Sequence, residues 1–154
     1  MSFRITGLAP DLFSDLFELT DAELQSRNAL RVIARQDGGY PCRISLRDAA
    51  PGEELILTHY QHHAVATPFR ASHAIYVRAG QERYDRVDTV PEQLRKRLLS
   101  LRAFDSEAML VDADVVDGPA LETLIERLFA EQRTAYLHIH FAKAGCYAAR
   151  VDRV

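Results

Sequence analysis

A chain of 154 residues, 47% apolar and 27% charged, is sized for one domain around one core, residues 1–154, and excludes extended disorder. The net charge is −3 with the signs interspersed, and the densest basic cluster, Arg95-Lys96-Arg97, lies in a helical pattern without interleaved aromatics, so no nucleic-acid partner is expected. No apolar run approaches the roughly 20 residues that span a bilayer, and MSFRITGLAPDLF lacks a secretory pattern; no membrane partner is expected, and a cytoplasmic location with Cys42 and Cys146 as free thiols is.

In chain order, Phe3–Leu8 reads as a short strand. Pro10–Leu19 carries Leu12, Phe13, Leu16 and Phe17 at helical spacing. Thr20-Asp21-Ala22-Glu23 fits a capping box and opens a second short helix running to about Asn28. Leu30–Arg35 reads as a strand, Asp37-Gly38-Gly39 as a turn, and Tyr40–Leu46 as a strand with Cys42, Ile44 and Leu46 on one face. A Pro51-Gly52 turn precedes the strand Glu54–Tyr60, which ends in His59, His62 and His63, the last two expected in an exposed loop. Thr67–Arg70 is irregular. His73–Arg78 is a strand that places His73 with Ile75 and Val77, as a hydrogen-bonded core histidine.

Gly80–Asp88 reads as a charged loop and Pro91–Leu99 as a helix. Ala108–Val116 follows as a strand with Ala108, Leu110 and Val111 inward. Asp117-Gly118-Pro119 starts a helix, since proline suits the first turn, and Leu121, Leu124, Ile125, Leu128 and Phe129 then form one apolar stripe. The chain closes in a β-hairpin. Strands in runs of neighbours predict α+β, a mostly antiparallel sheet with helices packed on it.

In the hairpin, YLHIHFAKAGCYAARVDR, alternation puts Leu137, Ile139 and Phe141 in the core and Tyr136, His138 and His140 on the other face. The histidine Cα atoms lie about 7 Å apart, twice the rise per residue, close enough for both rings to meet one ion. A three-residue loop at Lys143-Ala144-Gly145 would set His140 opposite Ala148 and His138 opposite Arg150. A permanent cation beside the histidines favours an anion over a metal, so no metal ligands are assigned and the cofactor is left open.

The segments YPCRISLRDAAPGEELILTHYQH, TPFRASHAIYVR and HIHFAKAGCYAARVDR together resemble a family of small bacterial proteins known as a domain of unknown function. The resemblance spans nearly the whole chain and implies a single cytosolic domain. It implies shared roles for Cys42, Arg43, Arg70, His73, His138, His140, Cys146 and Tyr147, and supplies no activity.

Three functions remain on the sequence. In the first, a pocket of Arg43, Arg70, His73, His138, His140, Tyr147 and Arg150 takes a small anion, either as a binding module or as an enzyme with a histidine as base. The second is a metal- or thiol-dependent enzyme that uses His138 and His140 with a histidine of 59–63, or Cys42 as nucleophile. The third is a structural or interaction protein whose polar groups satisfy one another. A free sheet edge leaves homodimerisation open.

Overall fold

The closing hairpin forms as expected from β8 (Tyr136–Phe141) and β9 (Tyr147–Arg153), and the larger sheet is built around it. With β1 (Phe3–Thr6), β5 (Asp85–Val87), β6 (Leu98–Phe104) and β7 (Leu110–Asp117) the order is β5-β1-β9-β8-β6-β7. A smaller sheet, β2-β3-β4, comprises Ala29–Ile33, Glu54–His63 and Ala71–Val77. All strand pairs are antiparallel, and three short helices, α1 (Asp21–Ser26), α2 (Glu92–Arg95) and α3 (Leu121–Ala130), complete an α+β fold. This computed structural model describes all residues, Met1–Val154. No helix is long and apolar enough to cross a membrane.

The apolar stripe of α3 covers one face of the large sheet. Leu121, Leu124, Ile125, Leu128 and Phe129 are buried against Leu99, Leu101, Ala103, Leu137, Ile139 and Val151. Each large side chain so buried contributes about 1.5–3 kcal/mol over leaving it exposed. A second apolar cluster joins Ile44, Ile56, Ile75, Val77, Leu24 and Phe13 to Tyr147, a residue of β9. The opposite face of the β8–β9 hairpin thereby meets the smaller sheet. α1 is capped as the sequence predicts: the Glu23 N–H donates to the Thr20 hydroxyl, and the Thr20 N–H donates to the Glu23 carboxylate.

Several local expectations are corrected. Pro10–Leu19 forms two separate 3-10 turns, Pro10–Leu12 and Leu16–Glu18, rather than a helix, and of its apolar residues only Phe13 is fully buried. Tyr40–Leu46 is not a strand; it makes only isolated bridges, Pro41 to Asp48 and Cys42 to Tyr76, and Leu46 has a positive φ of 52°. The helix expected to Leu99 stops at Arg95, and Leu98 already begins β6, whose Leu99, Leu101 and Ala103 alternate into the core. Within the expected Gly80–Asp88 loop, Asp85–Val87 pairs with β1. β7 begins at Leu110, whose side chain is exposed rather than inward.

Candidate functional site

The face of β8 turned away from α3 carries His138 and His140. Directly opposed strand residues share a face. Arg102 of β6 and Arg150 of β9 flank His138, while Ser100 and Tyr147 flank His140. The His140–Tyr147 pairing differs from the expected His140–Ala148. The hairpin loop is one residue longer, with Phe141 and Cys146 bonded across it, and the register shifts between Ile139 and His140. Such a bulge keeps both Tyr147 and Arg150 on the histidine face although three positions separate them.

The smaller sheet closes over this face. β3 runs on to His63 with a register shift between Tyr60 and His63, so His62 and His63 are strand residues and not an exposed loop. His63 is buried and fully partnered: its Nδ1 lies 2.8 Å from the Phe69 carbonyl, and its Nε2 lies 2.7 Å from the Tyr136 hydroxyl. A carbonyl only accepts, so Nδ1 carries the proton and Nε2 accepts from Tyr136. The His63 ring packs edge-on at 4.9 Å from that of His138.

His62 completes a different set. Its ring stacks on Tyr147, with centroids 5.0 Å apart, and meets His140 edge-on at 5.1 Å. One ring nitrogen from each of His62, His138 and His140 lies within 4.8 Å of the others. The His62 Nδ1, His138 Nδ1 and His140 Nε2 atoms are buried without any hydrogen-bond partner. The His140 Nδ1 lies 2.9 Å from the Gly145 carbonyl, to which it must donate, which leaves a lone pair on Nε2. A backbone carbonyl orienting a histidine through its second nitrogen is the usual support of a metal-ligating imidazole.

Burial sets the charge state of the cluster. Desolvation, reinforced by neighbouring histidines, pulls the His138 pKa down to about 2. Desolvation likewise pulls His140 to about 3, against the raising effect of the Gly145 carbonyl, and His62 to about 4 with help from Arg102. All three rings are therefore neutral near pH 7.

A cavity of about 300 Å³ opens on the cluster. Its lining includes all three histidines, Arg70 and Arg102, closed by Phe69 and Phe104, and contains no carboxylate. Arg102 is half-buried, burial alone pulls its pKa down, and no acceptor or carboxylate pairs with it. Arg70 is exposed at the rim beside Gln61, whose amide oxygen, in the orientation that satisfies both groups, accepts from its Nε at 2.5 Å and Nη2 at 3.2 Å.

The other sequence candidates fall outside this cavity. Arg150 lies on the histidine face but pairs with Asp152 at 2.8 Å and stacks 4.2 Å over Tyr136, so its charge is already met. Arg43 is wholly buried and bonds to Pro41, Cys146 and Tyr147. His73 is half-buried rather than a core residue, with Nδ1 3.1 Å from the Ala74 carbonyl, and it lines a separate cavity with Arg43 and Cys146. Cys42 is 1% exposed and packs in the second apolar cluster, where a nucleophile would meet no solvent. His59 bonds Ser72 on the exposed side of β3. Sequence reasoning missed Arg102, although L-S-L-R-A alternates and puts Ser100 and Arg102 on the polar face.

Residues 39–153 match a family described as a protein of unknown function (DUF1203), and the chain belongs to that family. The match takes in every residue of the cluster and its cavity. No curated protein and no solved structure matches the chain.

Proposed function

We propose that this DUF1203 protein binds a divalent zinc-class ion through His62, His138 and His140, and holds a small anion on the ion's open side against Arg102 and Arg70. The observation that carries the proposal is the set of three buried, unpartnered ring nitrogens drawn from two sheets. Leaving a buried polar atom unpartnered costs about 1–3 kcal/mol, and a shared ion removes that cost three times over. Neutral imidazole is a ligand, whereas imidazolium is not, and burial keeps all three rings neutral. Three imidazoles with an open position suit zinc, whereas the common non-haem iron set replaces one histidine by a carboxylate, absent from this lining.

The anion follows from charge. Neutral ligands leave an ion its full double positive charge, and Arg102 and Arg70 add two more beside no carboxylate. A small carboxylate or phosphate would neutralise this excess through charge-assisted hydrogen bonds. If turnover accompanies binding, the ion's contribution is Lewis-acid activation of water or substrate, with the arginines holding the anionic group in place. A metal-free anion pocket is the second reading, and the lack of any partner for Arg102 supports it. The unpartnered nitrogens weigh against a purely structural role, in which polar groups satisfy one another.

Cobalt(II) tests both parts, because its visible bands report four-coordination. The proposal expects intense bands at one equivalent that shift when inorganic phosphate is added. Arg102→Ala should keep the cobalt bands but need about tenfold more phosphate, the loss of one charge-assisted hydrogen bond. Absent cobalt bands would overturn the metal site, and an unchanged phosphate midpoint in Arg102→Ala would overturn the anion's placement. Phosphate protecting the metal-free protein from heat would leave the second reading standing alone.

A further inference from the structure

The segment that follows Gly145 borders a second, larger cavity, of about 650 Å³. Its polar lining includes Arg43, His73, Lys96, Arg97, Lys143 and Cys146. Asp48 is the one carboxylate in that lining, and it pairs with Arg97 at 3.0 Å. The remaining charge is positive.

Arg43 is the most unusual of these residues. It is 1% exposed and heads the fully buried side chains by volume, yet no carboxylate touches it. Its Nε donates to the Tyr147 carbonyl at 2.8 Å and its Nη1 to the Pro41 carbonyl at 2.6 Å. Its Nη2 donates to Cys146 Sγ at 3.1 Å, the only side-chain acceptor it meets. Burial pulls the Arg43 pKa down to about 10, so the guanidinium is still a cation at neutral pH. A buried cation is costly unless it meets negative charge, and the atom offered to it here is sulfur. Cys146 is 8% exposed and borders the cavity, whereas Cys42, at 1% exposed, does not.

We propose that Cys146 is a nucleophilic thiol in the wall of an anion-attracting cavity, a site of covalent modification by small anionic electrophiles. In the step, Sγ forms a bond to the electrophilic carbon as that carbon's bond to its leaving group breaks. The leaving group departs with the electron pair, and the thiol proton passes to water. Lys96 and Lys143 draw the anion in, while Arg43 holds Sγ in place through the hydrogen bond from its Nη2. This proposal stands on different residues from the histidine site and does not require a metal there.

The test compares iodoacetate with iodoacetamide on the intact native protein, with the modified cysteine identified by peptide mass spectrometry. The same chain unfolded in urea supplies the intrinsic rate ratio of the two reagents. The iodoacetate-to-iodoacetamide ratio at Cys146 should rise roughly tenfold or more on folding and fall with added salt, as steering by a cationic cavity requires. Lys96→Gln with Lys143→Gln, at the solvent side, should lower that ratio without unfolding the chain. Arg43→Met should slow both reagents, and the lysine variant keeps the test decisive if Arg43→Met fails to fold. A native ratio equal to that in urea, a native Cys146 that resists both reagents, or preferential modification of Cys42 would each overturn the proposal.

Discussion

Acidifying the metal-free protein should unfold it well before its carboxylates protonate. His138 and His140 are 3% and 1% exposed, and burial pulls their pKa values from 6.5 to about 2 and about 3. In the unfolded chain both rings take up protons near pH 6.5, whereas in the folded chain they stay neutral. The unfolded state therefore binds more protons below pH 6.5, so stability falls as pH falls and is fully present only above that value. Each such histidine costs about 1.4 kcal/mol per pH unit, so the pair removes about 5 kcal/mol between pH 6.5 and roughly pH 4.5. That equals much of the ~5–15 kcal/mol that holds a typical domain. Half-exposed His62 adds a smaller amount in the same direction. Glu122 and Asp88, both held below ordinary carboxylate values, add their losses only at lower pH. Urea denaturation in the presence of a chelator, at pH 7 and at about pH 4.5, measures the effect. The midpoint should drop steeply in the native sequence and much less in a variant with His138→Gln and His140→Gln. A flat native midpoint, or an equal drop in the variant, would refute the claim that these rings are buried and neutral.

Two further predictions concern the frame around the site. Tyr136→Phe removes the donor to His63 Nε2 and leaves a buried nitrogen unpartnered, which should lower stability in urea by about 1–3 kcal/mol; no change would mean that the His63–Tyr136 bond does not form. A Cβ at Gly7 would lie 2.2 Å from the Ile44 carbonyl oxygen and 2.9 Å from that of Arg43, so Gly7→Ala should cost about 1–3 kcal/mol or more through backbone displacement. An unaltered urea midpoint would show that the segment is free to move aside.

Local chemistry was legible where it acts within a few residues. The α3 stripe, the Thr20–Glu23 cap and the inward face of β8 follow from spacing alone, and the structure has all three. What escaped depends on distant partners. Tyr40–Leu46 alternates like a strand, but Arg43 turns inward to reach the β9 backbone, and the segment's backbone bonds go singly to Leu8, Tyr76 and Tyr84 instead of to one partner strand. The first two residues of β6 are hidden in a helix pattern because Leu94, Leu98 and Leu99 fit helical spacing, while Leu99, Leu101 and Ala103 fit a strand equally well.

The candidate site shows the same division. His138 and His140 share a face by alternation, which any strand reading finds. Their third companion lies on another sheet, some 75 positions earlier in the chain (~3.3 Å per residue along a strand puts this far beyond local order). A register shift after Tyr60 aims His62 at them, and no local periodicity encodes that shift. The bulge that sets Tyr147 opposite His140 is equally a product of the folded hairpin.

The central claim is that His62, His138 and His140 form one metal site. It is tested most directly by stripping the protein with a chelator, adding zinc, desalting, and measuring retained metal by elemental analysis. The account predicts close to one zinc per chain, and almost none in a folded variant with His138→Ala and His140→Ala. A native protein that retains no zinc, or a variant that retains as much, would contradict it.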